Sequence, residues 1–484
     1  SESLQYALKS CSITHGYKSD HSAVEVEFEF FYEDVKGTGH WKINNSLFDD
    51  NNYQEALKSG IAKWKEEALD ARLDKRMTWD YLKYKIRQLS IQFSKEKKHK
   101  LLEKERNLMK RISDMENNLE MEDIVTYESM KHELNSIRSY YEEGLILRSR
   151  ARWHEEGERS TKYFLNLLNR NKKKTSINSI KMGNKRIREP KKIREELQRF
   201  YKNLYIMKDT CNQDISKKIK EFLNSSELPT VTSLEKDKMD KTLTRIELKI
   251  ALDTLNDSTP GNDGLTAAFY RTFWSELAED LTASHRESLE RGELIESQKQ
   301  AVIILLEKKG KCKEIIKNLR PISLLNVDYK ILTKALVRRM EASMKTIITP
   351  IQTAYLKGRS ITDNIRLIDD IINITRLEKL PGIICGVDFE KAFDSVSWRY
   401  LFESLRAFGF GETFISYIKT LYNNPKSCIL VNGVSTSYFT IESGVRQGDN
   451  LSCFLFIIAL EPLLRKILKA SEIKGISVGN IMVK

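Results

Sequence analysis

Proline is nearly missing from the first two-fifths of this 484-residue chain, where the first of eight is Pro190. No glycine lies between Gly60 and Gly144. With neither breaker present, nothing interrupts a helix over that span, and a turn-rich β architecture is excluded there. Cysteine is sparse: residues 11, 211, 312, 385, 428 and 453 are scattered and never form a Cys-x-x-Cys pair. That excludes a disulfide framework and a zinc ribbon, and it fits reduced thiols in an intracellular protein. Long apolar runs are absent as well. The best of them, "FLFIIALEPLL", is broken by Glu461 and is too short to span a bilayer, so no membrane partner is expected. No signal-peptide pattern is visible. The chain starts at Ser1 rather than Met, inside a strand-like pattern, as a fragment would.

Charge, by contrast, is plentiful. Lys and Arg number 81 against 68 Asp and Glu, a net charge of +13, in a chain that is 40% hydrophobic. The balance describes a soluble, helix-rich globular protein with a polyanionic partner, nucleic acid first; a basic protein without such a partner fits the charge alone nearly as well. Leu82, Ile86, Leu89 and Phe93, then Leu108, Ile112, Met115 and Leu119, recur at helical spacing and predict a long helical hairpin. Residues 95–111 carry eight Lys/Arg against three Glu, which reads first as a solvated helix face. From Arg148 to Lys174 nine Lys/Arg stand against three Glu, with Trp153, Tyr163 and Phe164 interleaved. Basic residues mixed with aromatics suit phosphates and stacked bases, so Arg148, Arg150, Arg152 and Lys162 are candidate template contacts.

From residue 301 onward the pattern predicts short strands alternating with helices. Ala301–Leu306 and Arg320–Leu325 read as strands around a basic turn at 308–313, and a helix starts near Tyr329. Ile383–Val387 reads as a buried strand feeding Asp388, a suitable place for a metal-binding carboxylate. Asp394 reads as a helix N-cap. Asn432-Gly433 predicts a hairpin, and an apolar helix follows "GVRQGDN" from Leu451 to Leu468. Singly, each motif has an ordinary reading. Arg320 and the lysines of the turn suit a solvated hairpin tip, and Gly444 and Gly448 suit a glycine-rich helix start.

Their order is more informative. "STPGNDG", "NLRPISLLNVDYKILTKAL", "QTAYLKGRSITDNI", "VDFEKAFDSVSW" and "GVRQGDNLSCFLF" follow one another over residues 145–484. Together they resemble the reverse transcriptase of non-LTR (LINE-type) retrotransposons, part of an endonuclease/reverse transcriptase polyprotein. "YKSDHSAVEVEFEF" resembles the last strand of the preceding endonuclease, with Asp20 and His21 as its remnant site. The resemblance implies an α+β fold: right-hand polymerase fingers and a partial palm, a long helical linker before them, and a short β tail of the endonuclease. The implied boundaries are 1–32 for the endonuclease remnant, 33–144 for the linker, 145–240 for an N-terminal extension and 241–484 for fingers and palm.

The implied function is RNA-directed DNA synthesis with Mg²⁺ or Mn²⁺, an RNA template, a DNA primer or target, and dNTP substrates, in the nucleus or cytoplasm. By that resemblance Asp388 would be catalytic and bind metal with the Phe389 carbonyl. Phe393 would exclude a 2′-hydroxyl. Arg320 and Lys311 would hold the triphosphate. Gln447 and Gly448 would shape the base-pair pocket, and Gly358 and Arg359 would face the template. Asn450 and Cys453 depart from the prolines found in many relatives. Two bridged metal ions need more than one carboxylate. The family's Tyr/Phe-x-Asp-Asp turn is not found downstream of Gln447, while Asp49-Asp50 and Asp369-Asp370 lie upstream. The expectation is therefore a fragment inactive by itself. A decayed or domesticated nucleic-acid-binding remnant is the alternative. A maturase-type polymerase fits less well, given the "SDHSAV" tail and the long linker.

Overall fold

The computed structural model describes residues 8–14, 23–28, 39–116, 124–149, 176–207, 213–478 and 481–484. The chain is a mixed α and β protein of two compact units, one of residues 1–39 and 89–176, the other of residues 40–88 and 177–484. That division differs from the boundaries expected at 33–144 and 145–240, because residues 40–88 pack into the same unit as the motif-bearing segments.

In the first unit, Leu8–Thr14 pairs antiparallel with Ala23–Phe28, with Cys11 opposite Val26. Asp20 and His21 lie outside the described residues, as do Arg150, Arg152 and Lys162. The helical hairpin is present. The helix Lys75–Glu116 contributes its later residues, and Ile124–Ser149 returns alongside. Leu108, Ile112, Met130, Leu134 and Ile137 form the buried seam. Tyr127 donates to Glu116 at 2.8 Å while Arg138 pairs with Glu105 at 3.8 Å, so the contacts run in opposite order along the two helices, as an antiparallel pair requires. Arg148 lies on the second helix.

The second unit is built on a mixed sheet. Gln300–Glu307 pairs antiparallel with Leu319–Leu324 and parallel with Lys426–Val431, which turns back through Asn432-Gly433 into Val434–Ser435. Phe439–Thr440 also pairs with Lys426–Val431. Successive side chains point to opposite faces of the sheet, and both faces carry buried residues. Ile303, Leu305, Ile429 and Val431 meet Ile193, Leu197 and Tyr201 of the helix Pro190–Leu204, while Val302, Cys428 and Leu324 form a separate buried cluster. The helix Val327–Ile347 is sunk into the unit, with Tyr329, Ile331, Leu336 and Met340 almost fully buried.

One buried ionic centre explains why residues 40–88 belong here. Lys83 Nζ lies 2.8 Å from Asp328 Oδ2 and 3.5 Å from both Asp263 and Asp80. Asp328 Oδ2 also accepts from Trp79 Nε1 at 2.9 Å and Gln298 Nε2 at 3.0 Å, and Oδ1 accepts the Tyr329 N–H at 2.8 Å. Lys83 and Trp79 come from the supposed linker, Asp263 from the "PGNDG" turn. A buried charge is tolerated only when paired and hydrogen-bonded, so these partners hold the turn and the helix together. Gly264 (φ +74°) completes the junction, since a Cβ there would lie 2.2 Å from the Trp41 ring.

The strand expected at Ile383–Val387 does not form. Residues 381–389 lie in no regular element, and Ile383, Ile384 and Val387 are exposed by 95%, 62% and 73%. An apolar run becomes a strand only where a neighbour accepts its backbone groups. Among the described residues no strand pairs with this segment. No helix of the described residues is long and apolar enough to cross a membrane.

Candidate nucleotide and nucleic-acid site

Three segments remote in sequence are stitched together by backbone hydrogen bonds. Val445 N–H donates to the Phe393 carbonyl at 2.7 Å, Gly444 N–H to the Val396 carbonyl at 2.8 Å, and Ser323 N–H to the Gln447 carbonyl at 2.7 Å. The Trp398 indole N–H adds a bond to the Gly444 carbonyl at 2.8 Å. Two glycines make the approach possible. A Cβ on Gly444 (φ +85°) would lie 2.6 Å from the Asp394 carbonyl oxygen, and one on Gly448 (φ +115°) would lie 2.5 Å from that of Ser323.

Asp394 sits at the centre of this junction, 2% exposed. It does not cap a helix. Ser397 takes that role for Trp398–Ala407, accepting the Tyr400 N–H at 3.4 Å. The Asp394 carboxylate instead accepts from Tyr205 Oη at 2.9 Å and from Gln447 Nε2 at 3.4 Å. Burial pushes its pKa up to about 6, and the Tyr205 hydrogen bond and the charges of Lys391 and Lys308 hold it from rising further. Burial likewise pushes the Tyr205 hydroxyl well above its ordinary value.

Lys391 (φ +54°) stands over the Phe200 ring, 4.3 Å from its centre, and feels Asp394 and Glu390 as attraction and Lys308 and Lys317 as repulsion. Burial, the largest influence, lowers its pKa. Lys391 and Lys308 thus both act on Asp394 as cations. Phe393 stacks on Phe456 at 4.8 Å between ring centres and meets Tyr355 edge-on at 6.1 Å.

The other expected residues are spread more widely. Arg320 is exposed on its strand, opposite Leu306, and Lys311 is exposed in the turn, its N–H donating to the Lys308 carbonyl at 3.0 Å. Gly448 is clasped by Ser323. Gly358 (φ +86°) has open space around it. The Arg359 guanidinium is engaged by backbone, donating to the carbonyls of Thr349 at 2.6 Å, Gln352 at 2.8 Å and Ile348 at 3.1 Å. Asp388 is exposed, and Phe389 is 48% exposed. Asp369 and Asp370 lie exposed on the helix Ile361–Leu377, and Asp50 caps the helix Asn51–Asp70.

Residues 306–480 match the family described as reverse transcriptase (RNA-dependent DNA polymerase). The chain is 30% identical over 466 residues to the transposon TX1 uncharacterized 149 kDa protein of Xenopus laevis, covering 94% of this chain and 35% of that protein. It is 30% identical over 258 residues to the retrovirus-related Pol polyprotein from type-2 retrotransposable element R2DM of Drosophila melanogaster, covering 52% of this chain and 24% of the relative. The Pol polyprotein from type-1 retrotransposable element R2 of Popillia japonica matches at 30% over 235 residues, covering 48% of this chain and 32% of the relative. This chain carries a non-LTR retrotransposon reverse transcriptase region. The chain spans about a third of the length of the Xenopus relative.

Sequence reasoning missed what Asp394 and Tyr205 do. Asp394 was visible, but a Ser-x-Ser run after an aspartate reads as capping. Tyr205 carries no signal at all, because 189 residues separate it from its partner. The same holds for Lys83, whose charge is hidden within a basic helix.

Proposed function

We propose that this reverse transcriptase region is the fingers and part of the palm of an RNA-directed DNA polymerase acting on an RNA template, a DNA primer and dNTPs. The observation that supports it most is the junction of the Phe393 turn with the Gly444–Gly448 loop, on which the cations Lys308 and Lys391 act through Asp394. In this reading Arg320 and Lys311, joined by those lysines, orient the triphosphate through charge-assisted hydrogen bonds. The Phe393 ring, braced on Phe456, bars a 2′-hydroxyl. Gln447 and Gly448 shape the base-pair pocket, and Gly358 and Arg359 lie along the template. Arg148, Arg150, Arg152 and Lys162 track phosphates, and Asp20 and His21 are the remnant of an endonuclease. The primer 3′-hydroxyl attacks the α-phosphate and pyrophosphate leaves.

Mg²⁺ or Mn²⁺ would supply charge neutralisation in such chemistry, with Asp388 and the Phe389 carbonyl as ligands. Among the described residues, however, no three His, Cys, Asp or Glu side chains gather to hold a metal. Asp388 alone does not fit a two-ion site. A second reading is a non-catalytic nucleic-acid-binding remnant. Primer extension on an RNA template by this chain joined to a segment that supplies a Tyr/Phe-x-Asp-Asp turn and thumb, with and without Asp388→Ala, separates the two. Synthesis that the substitution abolishes establishes the polymerase. Primer–template binding without synthesis supports the remnant, and the absence of both overturns the proposal.

A further inference from the structure

Gln447 is held at both ends of its residue, and only one of the two restraints acts on the side chain. Its carbonyl is fixed by Ser323 N–H at 2.7 Å. Its amide meets the Asp394 carboxylate, Nε2 to Oδ2, at 3.4 Å. A carboxylate only accepts hydrogen bonds, so an amide facing it must turn its NH₂ inward and its carbonyl oxygen outward. An amide free of that constraint is degenerate, since its two ends differ little in shape. Asp394 is itself held by the Tyr205 hydroxyl on its other oxygen, at 2.9 Å, and its backbone is pinned by the Gly444 approach.

We propose that Asp394 is a positioning residue that locks the Gln447 amide with Oε1 outward, so that the nucleotide pocket presents a hydrogen-bond acceptor to a donor group of a bound nucleotide. The inference rests on the reading of Gln447 as part of that pocket. Tyr205 is its second tier: a hydroxyl from the end of the helix Pro190–Leu204 sets the carboxylate plane, and through it the amide. Besides Tyr205, the titratable and charged groups that act on Asp394 are Tyr201, Lys391 and Lys308. The lysines stabilise the ionised form that the amide requires. Protonation of Asp394 puts a donor on the carboxyl, and the amide is then free to reverse.

The decisive measurement is direct. In the 484-residue chain labelled with ¹⁵N-glutamine, the side-chain amide signal of Gln447, assigned by its loss in Gln447→Glu, is followed from pH 5 to 8, a window chosen to bracket a midpoint of about 6. We expect a shift with that midpoint, absent in Asp394→Asn and moved to higher pH in Tyr205→Phe, which removes the hydrogen bond that favours the ionised carboxylate. Tyr205→Phe deletes one hydroxyl, so it tests the link even if Asp394→Asn fails to fold. A Gln447 amide indifferent to pH and to Tyr205→Phe overturns the inference.

A second arm measures dNTP binding to the chain loaded with RNA template and a dideoxy-terminated primer. Loss of one well-placed hydrogen bond predicts about five- to tenfold weaker binding in Asp394→Asn. Unaltered binding in Asp394→Asn overturns the role in the pocket. A wild-type chain that binds no dNTP counts against the polymerase reading, and the amide signal still decides whether Asp394 orients Gln447.

Discussion

Lys83 Nζ lies 2.8 Å from Asp328 Oδ2, with both side chains almost wholly buried. The pair comes from a helix preceding the reverse transcriptase motifs and from the helix Val327–Ile347 within them. Asp263 and Asp80 complete the centre at 3.5 Å. Against the cost of burial, the charges of the carboxylates push Lys83 above its ordinary pKa, and Lys83 holds Asp328 below the usual carboxylate range. The first part of that helix, residues 75–88, is therefore part of the unit's core.

Removing the cation should be severe. Lys83→Met leaves Asp328 and Asp263 buried without a counter-charge, a loss of about 3–5 kcal/mol for a broken buried pair. Urea unfolding should show it as a lowered midpoint. Lys83→Met combined with Asp328→Asn should recover part of the loss. A single variant as stable as the parent would mean that the centre is open to water.

Acidity should act on the Asp394 junction with a definite sign. The pKa of Asp394 rises from 3.8 to about 6 on folding, so the native state binds the proton more tightly than the unfolded chain. Its contribution is fully present below about pH 4 and is lost as pH rises through about 6, a change of up to about 3 kcal/mol. Asp263, also raised by burial, contributes with the same sign. Unfolding free energies at pH 4.5 and 7 should therefore differ less in Asp394→Asn than in the parent; an equal difference would place the titration elsewhere.

Gly444→Ala should disrupt the junction more than an ordinary surface change. It combines a left-handed backbone at φ +85° with a Cβ 2.6 Å from the Asp394 carbonyl. A cost of at least about 2 kcal/mol is expected, since the strain and the backbone clash add. Gly358→Ala has the strained φ but open space, so it should cost less. Thermal melting of the two variants ranks them.

Phe393→Ala should relax sugar discrimination. With primer–template bound, the parent should prefer dNTP over rNTP, and the variant should bind both alike. The Phe393–Phe456 stack at 4.8 Å gives the ring its rigid backing, so Phe456→Ala should act in the same direction more weakly. Unchanged discrimination in Phe393→Ala would put the gate elsewhere.

Binding to RNA should fall steeply with salt, each neutralised phosphate contributing about −0.7 to −0.9 to the log–log slope. Replacing Arg148, Arg150, Arg152 and Lys162 with Ala should flatten it. A slope equal to the parent's in a filter-binding titration would remove that segment from the interface.

The elements legible in the sequence were those specified by local pattern. Helical spacing gave the hairpin seam of Leu108, Ile112 and Met115, and the strands read at 301–306 and 320–325 form at Gln300–Glu307 and Leu319–Leu324. Asn432-Gly433 fixed its turn because only residues tolerant of positive φ fit there, at +49° and +85°. Collinear motifs pointed to the reverse transcriptase family. Long-range pairing decided the rest. Ile383–Val387 has the composition of a strand, yet a strand exists only when another backbone accepts its hydrogen bonds, and none of the described strands does. Asp394 has the local signature of a cap, but its chemistry is set by Tyr205 and Gln447, 189 and 53 residues away. Lys83 looks like one more charge on a basic helix, and only the closing of the core around Asp328 makes it structural. Local propensity acts over a few residues, whereas burial and hydrogen-bond partners are properties of the folded chain.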